Sequence, residues 1–248
     1  MFRHQGQNRN LKHNLKIASL LSFVAGLVNV AGFLAVRRLT TNVTGHFAFF
    51  TDEIFKMHFD KALVYFLYIF FFFLGSFVSS LLVEFLMRKN EKHAYSTPAA
   101  LESVILLSIG MLDVGFVFEN QEFIACFLLF AMGLQNALVT GISGAVVRTT
   151  HLTGLFTDLG IELSQLFFYR QPALRRKLLR SVKLHIAIIG FFFAGGIAGG
   201  VFYSHIGLGA MLAGAAVLVS GLLYDHLRLS LLILKRKFRR IGSEDPKQ

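Results

Sequence analysis

The sequence predicts an all-α fold. It is a polytopic membrane helical bundle of about six full spans plus two short re-entrant or broken segments, arranged as two inverted repeats. Three observations predict it. First, several apolar runs reach the roughly 20 residues needed to cross a hydrocarbon core about 30 Å thick, in a chain of 248 residues that is 54% hydrophobic and 16% charged. Second, runs such as Tyr68-Ile69-Phe70-Phe71-Phe72-Phe73-Leu74 lack the period-two alternation of a membrane β-barrel. Third, two polar motifs recur in the same order. G-L-x-N occurs at Gly26–Asn29 and Gly133–Asn136, 107 positions apart, and T-T-x-x-T-G at Thr40–Gly45 and Thr149–Gly154, 109 apart. Coincidence does not preserve both order and spacing, so the chain is read as an internal duplication.

In chain order, residues 1–16 form a basic cytoplasmic tail. The run 17–36 is too long for an apolar signal core and leads into Arg37-Arg38 rather than a small-residue cleavage site, so it is a retained span. The first T-T-x-x-T-G follows, then a short apolar piece at 47–57 interrupted by Asp52 and Glu53. A second span covers 62–87 and ends at Arg88, Lys89 and Lys92. Pro98 sits at the start of a third span, 99–118, where a first turn tolerates proline. The polar loop 119–122 divides the halves. The second half repeats the order: a span at 123–147, the second T-T-x-x-T-G opening a short segment at 152–169, and a basic loop with Arg170, Arg175, Arg176, Lys177, Arg180 and Lys183. Spans at 184–203 and 208–227 follow, then a basic cytoplasmic tail over 228–248. The whole chain is one membrane domain, with repeats at 17–118 and 123–227.

Basic residues crowd cytoplasmic loops, and this sets topology. If the two short segments dip in and return, six spans leave four of the 25 Lys and Arg outside: Arg37, Arg38, Lys56 and Lys61. If they cross, eight spans leave six outside. The six-span reading obeys the rule better. It gives three spans per repeat, so the halves insert in opposite senses. Inverted repeats with interrupted segments at matching positions point to a secondary transporter whose site lies between the repeats, near the midplane.

Polar density at membrane depth is tolerated when it is buried in protein or lines a watery cavity. A helix starting there presents unsatisfied N–H groups and partial positive charge. Thr44 and Thr153, each before a glycine, are expected to cap such helices, with Gly45 and Gly154 allowing close approach. The candidate binding residues are Asn29, Thr41, Asn42, Thr44, Gly45, Asn136, Arg148, Thr149, Thr150, His151, Thr153 and Gly154, forming a polar pocket suited to an anion or a carboxylate. Arg148 makes the pocket asymmetric, since Leu39 stands at its matching position. Asp113, Asp158 and Glu162 are candidates for coupling, because carboxylates at such depth serve as ion pairs, proton relays or cation ligands. Plainer readings stand beside these. Threonines bond back to their own helices, asparagines join neighbouring helices, and Arg148 sits at an interface or pairs with Asp158.

Other features carry less chemistry. The net charge of +11 reflects topology rather than nucleic-acid binding, since no recognition signature accompanies it. The single cysteine, Cys126, excludes an internal disulfide and a CxxC site. Overlapping GxxxG patterns in Gly195–Gly200 permit close helix packing. His185, His205 and His226 are isolated, with no HExxH spacing, and no P-loop occurs. No nucleophile–base pair or metal constellation is visible, so the chain is not read as an enzyme and no cofactor is expected.

Gly133-Leu134-Gln135-Asn136-Ala137, followed by Arg148-Thr149-Thr150-His151-Leu152-Thr153-Gly154, resembles the YoaK-like family of bacterial multi-span inner-membrane proteins, a domain of unknown function. Gly26-Leu27-Val28-Asn29 and Thr44-Gly45 fit too, although the family carries Asp more often than Asn at position 29. The resemblance spans about 15–227. It implies a multi-pass protein of the bacterial inner membrane and supplies no substrate. The expected function is therefore transport of a small solute, anionic by the pocket's chemistry, with a membrane scaffold or assembly protein as the alternative. The expected partners are that solute and the lipid bilayer, with homo-oligomerisation left open.

Overall fold

The computed structural model describes residues 11–89 and 94–241, with side chains over 13–89, 94–225 and 227. Residues 1–10 and 242–248 of the expected tails, together with Lys92, lie outside the described residues. Everything regular among the described residues is helical: α1 (Leu11–Val36), α2 (Val43–Phe55), α3 (Phe59–Lys89), α4 (Ser96–Gly110), α5 (Val114–Glu119), α6 (Gln121–Ser143), α7 (Leu152–Phe168), α8 (Pro172–Ile206) and α9 (Ala210–Ile241). A 3-10 turn at Gly207–Gly209 joins the last two. Four stretches, 13–36, 59–89, 121–143 and the α8–α9 stretch 172–225, are long and apolar enough to cross a membrane, and α4 is a shorter apolar helix.

Three expectations are corrected. The third span, expected over 99–118, is broken after Gly110. Asp113 has extended backbone, accepts the Gly115 N–H at 2.8 Å and starts the separate helix α5. The basic loop 170–183 is instead the first third of α8. Pro172 suits a first helical turn, and the Leu-, Arg- and Lys-rich sequence after it contains no breaker. The tail expected from 228 likewise continues α9 to Ile241, in a segment free of Gly and Pro.

The core is built around α1 and α6, whose apolar windows are 61% and 67% buried, against 17% for α3. The helix pairs are α1 with α8, α3 with α6, α2 on α3, α7 on α8, α4 with α6, α9 with α1, and α4 with α9. Exchanging α1–α4 for α6–α9 leaves this set of pairs unchanged. Directions follow from individual contacts. Gln135 meets Leu21 while Leu128 meets Gly32, so α1 and α6 run antiparallel. Gly214 lies against Leu27 and Leu106, Gly221 against Leu20, and Gly110 against Leu212, so α9 runs antiparallel to both α1 and α4.

Two crossings hold these layers together, and each uses a pair of F-x-x-G segments. A Cβ on Gly26 would overlap the Phe192 carbonyl, and one on Gly195 would overlap the Phe23 carbonyl. A Cβ on Gly75 would overlap the Phe130 carbonyl, and one on Gly133 the Phe72 carbonyl. Each glycine thus receives the backbone of the other helix, three residues upstream of that helix's own glycine. Ser76 fastens the second crossing by donating to Phe72 O and Gly133 O, both at 3.1 Å. The GxxxG patterns of α8 have the expected packing role: Gly195 and Gly199 face the backbone of Phe23 and Leu27.

Gly26→Ala and Gly133→Ala are each expected to lower the thermal unfolding midpoint of the detergent-purified protein. The expected cost is about 1–3 kcal/mol, as for other overpacked interiors. Gly190→Ala, on the open side of α8 where a Cβ meets nothing, should instead stabilise by about 0.5–1 kcal/mol through helix propensity. Equal midpoints for all three variants would refute the role given to the crossings.

Candidate functional site

Both T-T-x-x-T-G motifs begin where a long helix ends and the chain turns back into the bundle. After α1 the reversal uses Arg37 at φ 53°. After α6 it uses Gly144 and Ala145 at φ 63° and 64°, with Ser143 Oγ accepting the Val147 N–H at 2.9 Å. Left-handed residues let the chain leave a helix sharply. The returning segments are then fastened in matching ways. Thr41 donates to Asn29 Oδ1 at 2.6 Å, and Thr150 donates to Asn136 Oδ1 at 2.9 Å. Thr40 donates to the Val28 carbonyl at 3.2 Å, while Thr149 receives the Gln135 amide at 3.1 Å. Asn29 and Asn136 both stand seven residues before their helix ends, so each segment re-enters by about 10 Å at 1.5 Å rise per residue. The repeated Asn–Thr pairs therefore act first as fasteners.

The caps differ from expectation. Asn42, not Thr44, starts α2, its Oδ1 accepting the Gly45 N–H at 3.0 Å. Thr44 and Thr153 fall inside the first turns of α2 and α7 and are exposed. Thr is displaced because a cap must have non-helical backbone, and the helix begins one residue before each of them. The space at Gly154 is occupied by the His151 ring and that at Gly45 by the Leu39 side chain.

In the second half the turn after α6, with α7 and α8, encloses a polar cavity of about 140 Å³. Arg148, His151, Gly154, Asp158 and His185 line it, with Val146 and Leu155 as apolar wall. His185 Nδ1 lies 2.9 Å from Glu162 Oε2, one turn along α7 from Asp158. Both side chains of that pair are largely buried, 10% and 15% exposed. Four of the sequence-derived residues are thus brought together with a partner that sequence reasoning missed. His185 sits 34 positions from His151, and no local spacing connects them. The signal that finds it is the F-x-x-G alignment of α3 with α8, which sets His185 opposite Tyr65.

The same alignments explain the asymmetry of the halves. Leu39, Asn42, Phe49 and Tyr65 occupy the positions of Arg148, His151, Asp158 and His185. There the space is filled. His46 is buried, its Nε2 2.6 Å from the Leu39 carbonyl and its ring 4.9 Å from that of Tyr68, while Phe49 stacks on Tyr65 at 5.3 Å. Among the described residues no hydrogen bond joins the two motifs. The cavity is lined by second-half residues alone. Asn136 also faces an open groove with Ser76, Ser80 and Thr140. Asp113 is exposed at the α4–α5 break and does not line the cavity. No group of three or more His, Cys, Asp or Glu among the described residues is placed to hold a metal ion.

Thr41→Val should destabilise by about 0.5–1.5 kcal/mol, the net worth of one hydrogen bond. Thr150→Val should cost less, because Thr149 lies within reach of the same Asn136 oxygen at 3.4 Å. Thr153→Val should leave the unfolding midpoint unchanged. The reverse ranking in a thermal melt would show that the fasteners are misassigned.

No curated protein and no solved structure matches the chain. Over residues 17–224 it matches the family described as "Protein of unknown function (DUF1275)", to which the YoaK-like proteins also belong, and the chain is a member of that family.

Proposed function

We propose that the protein is a secondary transporter of a small, anionic solute across the bacterial inner membrane. In this reading α1, α3, α4 with α5, α6, α8 and α9 are six spans. The 37–55 and 144–168 segments are re-entrant, the halves are inverted repeats, and both termini are cytoplasmic. The antiparallel course of α1 and α6, and of α4 and α9, supports the inversion. The stripe of exposed Phe66, Phe70, Phe73, Phe77, Leu81 and Phe85 along α3 supports a lipid-facing surface.

The observation that carries the reading is the polar cavity beside the second re-entrant turn. Arg148 supplies a fixed positive charge, and His151 and His185 supply further donors. Asp158 keeps the site from being uniformly cationic, so binding remains reversible. A volume of about 140 Å³ holds several waters, which suits an inorganic anion or a short carboxylate rather than a large metabolite. The aromatic filling of the first-half equivalent leaves one site per chain. The reading assigns no catalytic step, cofactor or nucleic-acid partner. A membrane scaffold is the second reading, favoured by the Phe stripe of α3, which would fit a partner helix as well as lipid.

A thermal-shift screen of the purified protein against inorganic anions, short carboxylates, amino acids and nucleobases tests the proposal. A ligand that binds only the folded state stabilises it by about 2.7 kcal/mol at a hundred times its dissociation constant. The expected result is a hit among the anions that is lost in Arg148→Ala, with the ligand-free midpoint unchanged. Hits that survive Arg148→Ala would overturn the anion assignment. Silence across the panel with a folded sample would favour the scaffold.

A further inference from the structure

Among the described residues Glu102 is the one fully buried carboxylate, and neither the motifs nor the cavity accounts for it. It lies in α4 and is fully buried, and neither of its carboxyl oxygens has a hydrogen-bond partner. The elements packed against α4 are α3, α6, α9 and the 3-10 turn. Their ionisable groups include Glu84, Arg88 and Lys89 on α3, Glu122 and Cys126 on α6, and Asp225 on α9. None of these groups forms a hydrogen bond with the Glu102 carboxyl. A bare carboxylate among apolar atoms costs far more than a neutral acid, so such a group is tolerated only with a bound cation, and the smallest cation is a proton.

The surroundings suit that cation. Leu106 and Leu27 both meet Gly214, and α1 and α4 run in the same direction. Glu102, one turn before Leu106, therefore lies at the level of Phe23 and Val24 on α1. Within one turn of that level along α1 are two more buried atoms without partners, Ser22 Oγ and Gln135 Oε1, the latter on the side chain that bonds the Leu21 carbonyl. Gln135 in turn bonds Thr149 of the second motif at 3.1 Å, so this level is linked to the re-entrant turn that shapes the cavity.

We infer that Glu102 is a proton-binding site on which transport is coupled. Its carboxyl holds a proton while sealed between α4, α6 and α9 and exchanges it with water when those helices part. The purpose rests on the transporter reading, but the chemistry does not, and the test separates them.

The probe is dicyclohexylcarbodiimide, which reaches acids through the apolar phase. A protonated carboxyl gives its proton to a carbodiimide nitrogen and bonds through oxygen to the central carbon. The acyl group then migrates to nitrogen as a stable N-acylurea, which mass spectrometry locates. In liposomes the expected result is an adduct on Glu102, forming faster as pH falls and slower as it rises. Glu102→Gln should lose the adduct yet elute and melt as wild type, and Glu102→Asp should retain it with a displaced pH profile. If Glu102→Gln does not fold, the Asp variant carries the test. No adduct at any pH, or protection by sodium, would overturn the proton assignment. An adduct whose rate ignores pH would show a permanently sealed structural acid and overturn it equally. A positive result with a silent ligand screen would refute the solute reading while leaving the proton site standing.

Discussion

The rest of the bundle depends on how closely two pairs of helices approach. At the α1–α8 and α3–α6 crossings each helix offers a glycine to the other's backbone carbonyl, and the four segments are Phe23-Val24-Ala25-Gly26, Phe72-Phe73-Leu74-Gly75, Phe130-Ala131-Met132-Gly133 and Phe192-Phe193-Ala194-Gly195. Inside a bilayer, apolar side chains gain little by leaving lipid for one another. Association there rests on van der Waals contact and hydrogen bonds made possible by small residues. These glycines put two backbones within reach of many such contacts. Because the first helix of each half crosses the third helix of the other, neither half is complete alone. The halves are interlocked rather than docked.

The crossings also place the polar chemistry. Asn29 and Asn136 each lie three residues beyond a crossing glycine, nearly one turn on, at the depth to which the returning chains reach. A threonine hydroxyl there fastens a segment that has left its helix through left-handed residues, and a backbone that would otherwise lack partners becomes tolerable inside the bundle. The same device produced different outcomes in the two halves. In the first, His46, Phe49, Tyr65 and Tyr68 fill the space outside the turn. In the second, Arg148, His151, Asp158 and His185 leave it open and polar. The same geometry occurs twice, and the different side chains at Leu39/Arg148, Asn42/His151, Phe49/Asp158 and Tyr65/His185 distinguish the filled copy from the one with a cavity.

The helical class, the apolar spans and the doubled motifs were legible in the sequence because length, hydropathy and repetition are local properties. The Asn–Thr partnership could be suspected from matched positions, yet its role as a fastener depends on a chain reversal that no residue type announces, since Arg37 is an unlikely occupant of φ 53°. The basic stretch at 170–183 reads as a loop when charge is equated with disorder, whereas Leu178 and Val182, both buried, give it a helical face. The third span was misread because apolar content continues through Met111 and Leu112, and only the capping role of Asp113 reveals the break. His185 was set aside as isolated because its partner, Glu162, lies on another helix.

The repeat itself was harder to follow beyond the motifs, and the reason is physical. The offset between equivalents is 107 at the first helices and 109 at the turns, but 120 at the third helices, since α7 is four residues longer than α2 and α8 starts with a basic extension of seven residues that α3 lacks. A fixed period therefore loses register where the third helices begin, although the crossings that depend on those helices are conserved between the halves. Restoring the register makes Tyr65 and His185 equivalents, and with them the closed and open versions of one site. The extension lies outside every crossing, so it could be added without disturbing a glycine contact. Where packing tolerates no extra atom the two halves still agree residue by residue, and where the helix is mostly exposed they do not.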